Sequence, residues 1–350
     1  MALTTVATDN KAQIWDSDYF KEYVRANRFK RYMGTNENSV IQIKEDLTKK
    51  RGDRIHIPLI TKLSGAGVTG NGLLEGNEEA LGNYDHPIEV DTRRNAVAVT
   101  DHEQQFTEIG LRNAAKEMLK LWSMEKLRDD LITGLGMVSG VAFGSSSAAQ
   151  KNAWIAANSD RVLFGDSVSN GGYTTYATDI ATVTAGMRLG KAEVSLMKRM
   201  AKRADPLIRP IRINEDEEWF VLFTDSLCFR DLKADLDTVH QNAAPRSLDK
   251  NPIFRDGDLV YDGVVIREIP EIASLGAVGD NSAEVSPAYL CGAQALGVAW
   301  AQRTKSTTDV RDYGFVKGVG IHEMLGVDKL VYNDVDHGVL TGFFGAAADA

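Results

Sequence analysis

The chain's nearest approach to a nucleotide-binding motif is GMRLGKA, Gly186 to Ala192. A phosphate loop needs four residues between its glycines, then Lys, then a Ser or Thr hydroxyl to hold Mg²⁺. Here three residues separate the glycines, and Ala192 stands where the hydroxyl must be. The other candidate motifs fail in similar ways. HEMLG, His322 to Gly326, opens like a zinc-protease helix but lacks the second histidine. GDSVS, Gly165 to Ser169, lacks the closing glycine of a nucleophile elbow. DVDHG, Asp334 to Gly338, has carboxylates, yet no Glu follows to complete a calcium loop. The six histidines include no pair at i, i+3 or i+4 spacing. The carboxylate pairs Glu78–Glu79 and Asp129–Asp130 are adjacent, and neighbouring positions on a helix point apart. These residues predict no enzyme, no cofactor and no metal.

One charge cluster does stand out. Between Arg188 and Arg212 lie eight Lys or Arg against only Glu193 and Asp205, a local balance of +6. On a helix over 191–204, ending before Pro206, Lys191, Lys198 and Lys202 share a face with Arg199 and Arg203 close by. Val194, Met197 and Ala201 oppose them. A solvated amphipathic face is the default reading. Contact with phosphates or with an acidic partner surface is the functional one.

The remainder of the composition bounds what these residues can serve. At 350 residues the chain exceeds the size at which one core keeps growing, so at least two lobes are expected. Its 43% hydrophobic and 25% charged content is that of an ordinary globular protein. A net charge of −9 argues against a surface that grips nucleic acid throughout. No apolar run is long enough to span a membrane, and the first residues lack the pattern of a signal peptide. Cys228 and Cys291 without CxxC spacing suit a reducing compartment.

The elements that would position a site follow from periodicity. Residues 1–38 read as an arm in which Trp15, Tyr19, Phe20, Tyr23, Phe29 and Tyr32 alternate with basic residues. Aromatic anchors gripping the same chain or a neighbour fit it better than a nucleic-acid arm. DRIHIPLI (53–60) and PIEVDT (87–92) alternate apolar and polar residues, predicting two strands. They flank KLSGAGVTGNGLLEGNEEALGNYDHP, Lys62 to Pro87, which holds six glycines and few large apolar side chains. A two-stranded ribbon alone is marginal in water, so it needs a surface to lie on, and the sequence offers no obvious one. From His102 to Thr133 no proline interrupts a run of helix formers, which predicts a rod of roughly 48 Å. Residues 134–180 read as irregular apart from a strand at RVLF. The segment 213–302 alternates strands and helices: a buried strand at EEWFVLFTD, a helix opened by Ser226, and a hairpin turning at Asp262–Gly263. AYLCGAQALGVAWAQ reads there as a strand running into a small-residue helix. Short strands with glycines close the chain from Asp312.

Several strings together carry a resemblance. VIQIKEDLTKKRGDRIHIPLI, LSGAGVTGNGLLEGNEEAL, KNPIFRDGDLVYDGVVIREIPEI and GAQALGVAW are similar to segments of major capsid proteins of N4-like tailed phages, over about Asn36 to Gly338. The pairing of LLEGNEE, Leu73 to Glu79, with YDGVVIRE, Tyr261 to Glu268, is the most specific element of the likeness. The resemblance implies an α+β, HK97-type capsid fold with an amino-terminal arm at 1–38 and an extended loop at 39–100. A peripheral domain at 101–212 would hold a spine helix at 102–133, an axial α/β domain would occupy 213–300, and 301–350 would return to the peripheral domain. It further implies self-assembly into pentamers and hexamers of an icosahedral shell around double-stranded DNA. A portal and scaffold or decoration proteins would be partners, without any membrane, and assembly would take place in the host bacterial cytoplasm before residence in the virion capsid. An encapsulin-like compartment shell with protein cargo is the alternative. On this reading Lys62, Leu73, Leu74 and Glu75 make intersubunit contacts, and Lys191, Lys198, Arg199, Lys202 and Arg203 face DNA or an acidic partner.

Overall fold

The structure is a computed structural model that describes residues 27–48, 52–63, 65–107, 109–166, 173, 175–212, 217–236 and 259–349. In chain order its elements are β1 (Met33–Gly34), β2 (Ile41–Lys44), β3 (Arg54–Ile60), β4 (Asn83–Glu89), β5 (Asp91–Thr100), α1 (Asp101–Gln105) and α2 (Leu111–Leu135). Next come α3 (Ala148–Ala157), β6 (Val162–Phe164), α4 (Tyr176–Ile180), α5 (Lys191–Ala201), β7 (Ile211–Arg212), β8 (Glu218–Thr224) and α6 (Ser226–Asp235). The remainder is strand: β9 (Leu259–Tyr261), β10 (Val264–Glu268), β11 (Val285–Cys291), β12 (Leu296–Arg311), β13 (Val316–Lys329), β14 (Val331–Tyr332), β15 (Val335–Asp336) and β16 (Val339–Gly345).

The chain divides into two compact units. One comprises 1–27, 92–127 and 302–324, and the other 28–91, 128–301 and 325–350. Within the larger unit a seven-stranded mixed sheet runs in the order β6-β16-β11-β8-β10-β9, with β7 against β8. Both of its faces are covered. Phe344 of β16 and Leu163 of β6 join Val194 and Met197 of α5 and Leu232 of α6 in one core. Phe343, Val162 and Phe164 point the other way, to Trp154, Ile155 and Ile180. Strands buried on both faces read as unbroken apolar runs, which is why EEWFVLFTD announced itself. The Asp262–Gly263 hairpin also forms as expected, with both residues at positive φ, 48° and 71°. The helix that follows β8 differs in detail: Asp225, not Ser226, caps it by accepting the Cys228 N–H at 2.9 Å.

Three other expectations are corrected. The helix over 102–133 is not continuous: α1 ends at Gln105 and α2 begins at Leu111. Thr107 Oγ1 accepts the Ile109 N–H at 3.2 Å, the kind of local side-chain bond that competes with helix, and Gly110 follows. The 25 residues of α2 make a rod of about 37 Å. Residues 134–180 contain α3 and α4, and α3 carries a full capping box between Ser147 and Gln150. The small-residue segment after Cys291 is strand, since Leu296 begins the sixteen-residue β12. Its inner residues Leu296, Val298, Ala299 and Trp300 are all buried, so no alternation marks the period.

In the smaller unit α2 lies on strands through Leu119, Trp122, Val319 and Ile321. A buried carboxylate fastens the assembly. Glu323 of HEMLG accepts from Arg93 Nε at 2.7 Å, Ser123 Oγ at 2.8 Å and Thr304 Oγ1 at 2.6 Å. Four elements therefore meet on one acid.

Candidate intersubunit surfaces

The ribbon forms as read. β3 and β4 pair antiparallel in register from Arg54↔Glu89 to Ile60↔Asn83, with no third strand in their sheet among the described residues. Ile55 and Ile57 alternate inward as the period-two pattern predicts. The expectation that the ribbon has no surface of its own is overturned at its base. Ile55, Ile57 and Ile88 bury against Ala299, Leu330 and Tyr332, and Tyr332 Oη donates to the Ile57 carbonyl at 3.2 Å. Gly297 and Gly326 make this seat possible. A Cβ on Gly297 would strike Ile88 and Leu330, and one on Gly326 would meet the Glu89 backbone. His86 of β4 also faces the body, with Nδ1 3.1 Å from the Val331 carbonyl and Nε2 3.3 Å from Asp328.

Beyond the ladder the loop leaves this seat. Thr61 N–H donates to the Gly82 carbonyl at 3.0 Å, and Gly65 N–H to Glu79 Oε2 at 2.7 Å, so the two arms run together outward. At the tip Asn77 closes a turn. Its backbone N–H reaches the Leu74 carbonyl at 2.9 Å, and its side-chain amide donates to the Leu73 carbonyl at 3.0 Å. Both leucines are thereby presented outward, 78% and 62% exposed. Gly70 and Gly76 sit at positive φ on either side of them. Glu78 and Glu79 accept backbone N–H groups, whereas Glu75 and Lys62 are exposed and make no ion pair among the described residues.

A groove of about 540 Å³ opens beside the outer end of the ladder. Ile60, Lys62 and Tyr84 from the ribbon, Leu207, and Tyr332 and His337 are among the residues that line it. Burial holds His337 well below the usual histidine range, at about 4, with the Arg161 and Arg209 charges adding to the effect. Sequence reasoning did not find this groove, because the ribbon residues and the rest of its lining are some 120 or more residues apart in the chain.

The basic helix differs from the expectation of a free face. Lys198 Nζ pairs with Asp262 at 3.0 Å, Lys202 with Glu218 at 2.9 Å and Lys191 with Asp235 at 3.4 Å. The Lys202 hydrogen bond and charge hold the Glu218 carboxyl below the usual range. Arg199 and Arg203 are exposed and make no ion pair among the described residues. The opposite face, Val194, Met197 and Ala201, is buried as read, and Met200 is buried with it. The phosphate-loop look-alike at its amino end is occupied by the chain's own acids. Glu193 accepts the Gly190 N–H at 3.0 Å and Asp235 the Lys191 N–H at 2.7 Å.

Other motif residues have interior roles. Asp336 of DVDHG is buried, paired with Lys329 Nζ at 2.7 Å and bonded by Trp154 Nε1 at 3.0 Å. Of the arm, Trp15, Tyr19, Phe20 and Tyr23 lie outside the described residues. Phe29 and Tyr32 pack on Phe223 at centroid distances of 4.9 and 5.4 Å, anchors within the same chain. The string Lys250 to Asp258 of the resemblance also lies outside the described residues.

A chain and fold of this kind are matched by known proteins. The model of a family described as phage capsid protein matches residues 4–342. The chain belongs to the phage capsid protein family. A curated major capsid protein of Pseudomonas phage KPP25 is 28% identical over 97% of this chain and 96% of its own length. The capsid asymmetric unit of cyanophage Pam1 is 41% identical, with a TM-score of 0.92 over the whole of both chains. The capsid of Ralstonia phage GP4 shares the fold at a TM-score of 0.77 and 22% identity. This capsid protein therefore has the α+β, HK97-like architecture, and its relatives are structural phage head proteins.

Proposed function

We propose that this capsid protein self-associates into pentamers and hexamers that close an icosahedral shell around a double-stranded DNA genome. The loop tip carries the proposal: two exposed leucines on a turn braced by Asn77, projecting from a ribbon whose base alone is seated in its own subunit. Exposed apolar side chains on an ordered projection mark a contact surface. Lattice contacts of individually modest strength become strong when repeated around a closed shell. Lys62, Leu73, Leu74 and Glu75 are its intersubunit residues. Residues 1–38 serve as the arm, 39–100 as the extended loop, 101–212 as the peripheral domain, 213–300 as the axial domain and 301–350 as the return. Arg199 and Arg203 face DNA or an acidic neighbour, and Lys191, Lys198 and Lys202 stand beside them. A portal and scaffold or decoration proteins complete the particle, which assembles in the host bacterial cytoplasm. Placement among N4-like phages rests on the local strings around Leu73 and Tyr261. Electron microscopy of the purified, concentrated protein should show closed shells. A chain that sediments as a monomer under every assembly condition, with its phage's scaffold included, would overturn the proposal.

A further inference from the structure

We propose that the groove beside the outer end of the ribbon receives the Leu73–Leu74 tip of a second copy of this chain. The inference rests on the capsid reading above and names the receiving site that reading leaves open.

Three observations carry it. The groove's lining includes exposed apolar side chains: Ile60 is 64% and Leu207 57% exposed, with Tyr84 at 40%. At about 540 Å³ it lies within the size range of cavities that bury compact apolar groups. The tip is the matching part, a preformed turn offering two adjacent leucines, so little ordering is needed for it to dock.

Charge then fixes which way the tip enters. From Leu63 to Thr92 the chain has acids but no Lys or Arg. Two tip acids are engaged by backbone N–H groups, which leaves Glu75 as the free carboxylate next to the leucines. At the groove, Lys62 is the cation without an ion pair among the described residues. Asp205 stands on the Leu207 side, so a docked Glu75 sits against Lys62 and away from Asp205. His337 in the lining is neutral and adds no competing charge.

The chain's own tip does not occupy the groove. Its arms are tied at Gly65–Glu79, and among the described residues none from 63 to 83 lines it. A second copy supplies the same tip without that constraint.

The full-length chain carrying Leu73→Cys and Leu207→Cys tests this directly. The natural thiols Cys228 and Cys291 are buried, and burial raises both above the usual thiol range, so they give little background. Copper–phenanthroline oxidation of assembled particles should produce a ladder of interchain disulfides on non-reducing gels. Unassembled subunits, and a Leu73→Cys, Lys233→Cys control at an exposed position of α6, should not. Particles that assemble yet give no ladder with the 73/207 pair, or a ladder only with the 233 control, overturn the groove while leaving the capsid reading intact. Wild-type chain that forms no particles strikes at the capsid reading instead. If the cysteine variant fails to assemble, exchange of charge decides. Lys62→Glu and Glu75→Lys singly should each lower particle yield several-fold, and together they should restore it. A double variant no better than the worse single one refutes the contact.

Discussion

At the scale of single residues, the failed motifs become legible once their surroundings are known. Glu323 and Asp336 stood in strings that resembled metal sites, yet each is a buried acid neutralised by a cation of its own chain. Removing one partner of such a pair leaves a stranded charge, which is why both cation and acid occur. Nothing in the local sequence identifies Arg93 or Lys329 as those cations, since pairing depends on strand register. His337 gives a residue-scale prediction. The folded chain keeps it neutral down to about pH 4, while the unfolded chain takes up the proton near the ordinary histidine value of 6.5. Its contribution is therefore intact above pH 6.5 and is lost as pH falls from there towards 4, because only the unfolded state gains the proton. By pH 4.5 the loss should reach roughly 2–3 kcal/mol. Urea unfolding of unassembled subunits at pH 7.5 and 4.5 should show the wild-type chain losing that much more than His337→Gln. Equal losses in the two proteins would contradict the assignment.

For whole elements, α5 shows how far sequence alone reaches. Its buried stripe and its basic face were both readable from helical spacing, but the acids that pair with three of its lysines come from β8, the β9–β10 turn and α6. Such surface pairs are worth about 0.2–1 kcal/mol each, so Lys198→Gln with Lys202→Gln should cost the subunit little and leave its partners unaffected. Arg199→Gln with Arg203→Gln removes the side chains that make no ion pair among the described residues. That variant should fold with wild-type stability yet retain less DNA or assemble in lower yield; wild-type values for both would return α5 to a solvated face. The same contrast runs through the other elements. The Asp262–Gly263 hairpin was legible because both turn residues must adopt positive φ. The Ser147–Gln150 capping box was equally local and went unread inside a Gly- and Ser-rich stretch. The strand nature of β12 was hidden because burial on both sides erases the period-two signal. The seat of the ribbon lay beyond local reading altogether, built from Ala299, Leu330 and Tyr332 more than 200 residues away.

Across the whole molecule, the proposed function assigns the loop between β3 and β4 and its base two separate tasks, and this division can be measured. Ile55, Ile57 and Ile88 belong to the subunit's own core, so substitutions there should unfold it as core truncations do. Leu73 and Leu74 touch no core and stand in a turn held by backbone and Asn77 contacts that a serine side chain would preserve. Leu73→Ser with Leu74→Ser should therefore leave the melting temperature of the unassembled subunit within a few degrees of wild type. In a shell the same change acts on every copy. Burying one leucine contributes roughly 1.5–3 kcal/mol, so each subunit loses up to about twice that across its contact, and the deficit recurs at every position of the lattice. Closed particles should become rare or absent while the subunits remain folded. Calorimetry of unassembled protein alongside particle counts by electron microscopy separates the two tasks. A destabilised subunit would place these leucines in their own core, and normal particle yield from stable subunits would remove the tip from the lattice contact.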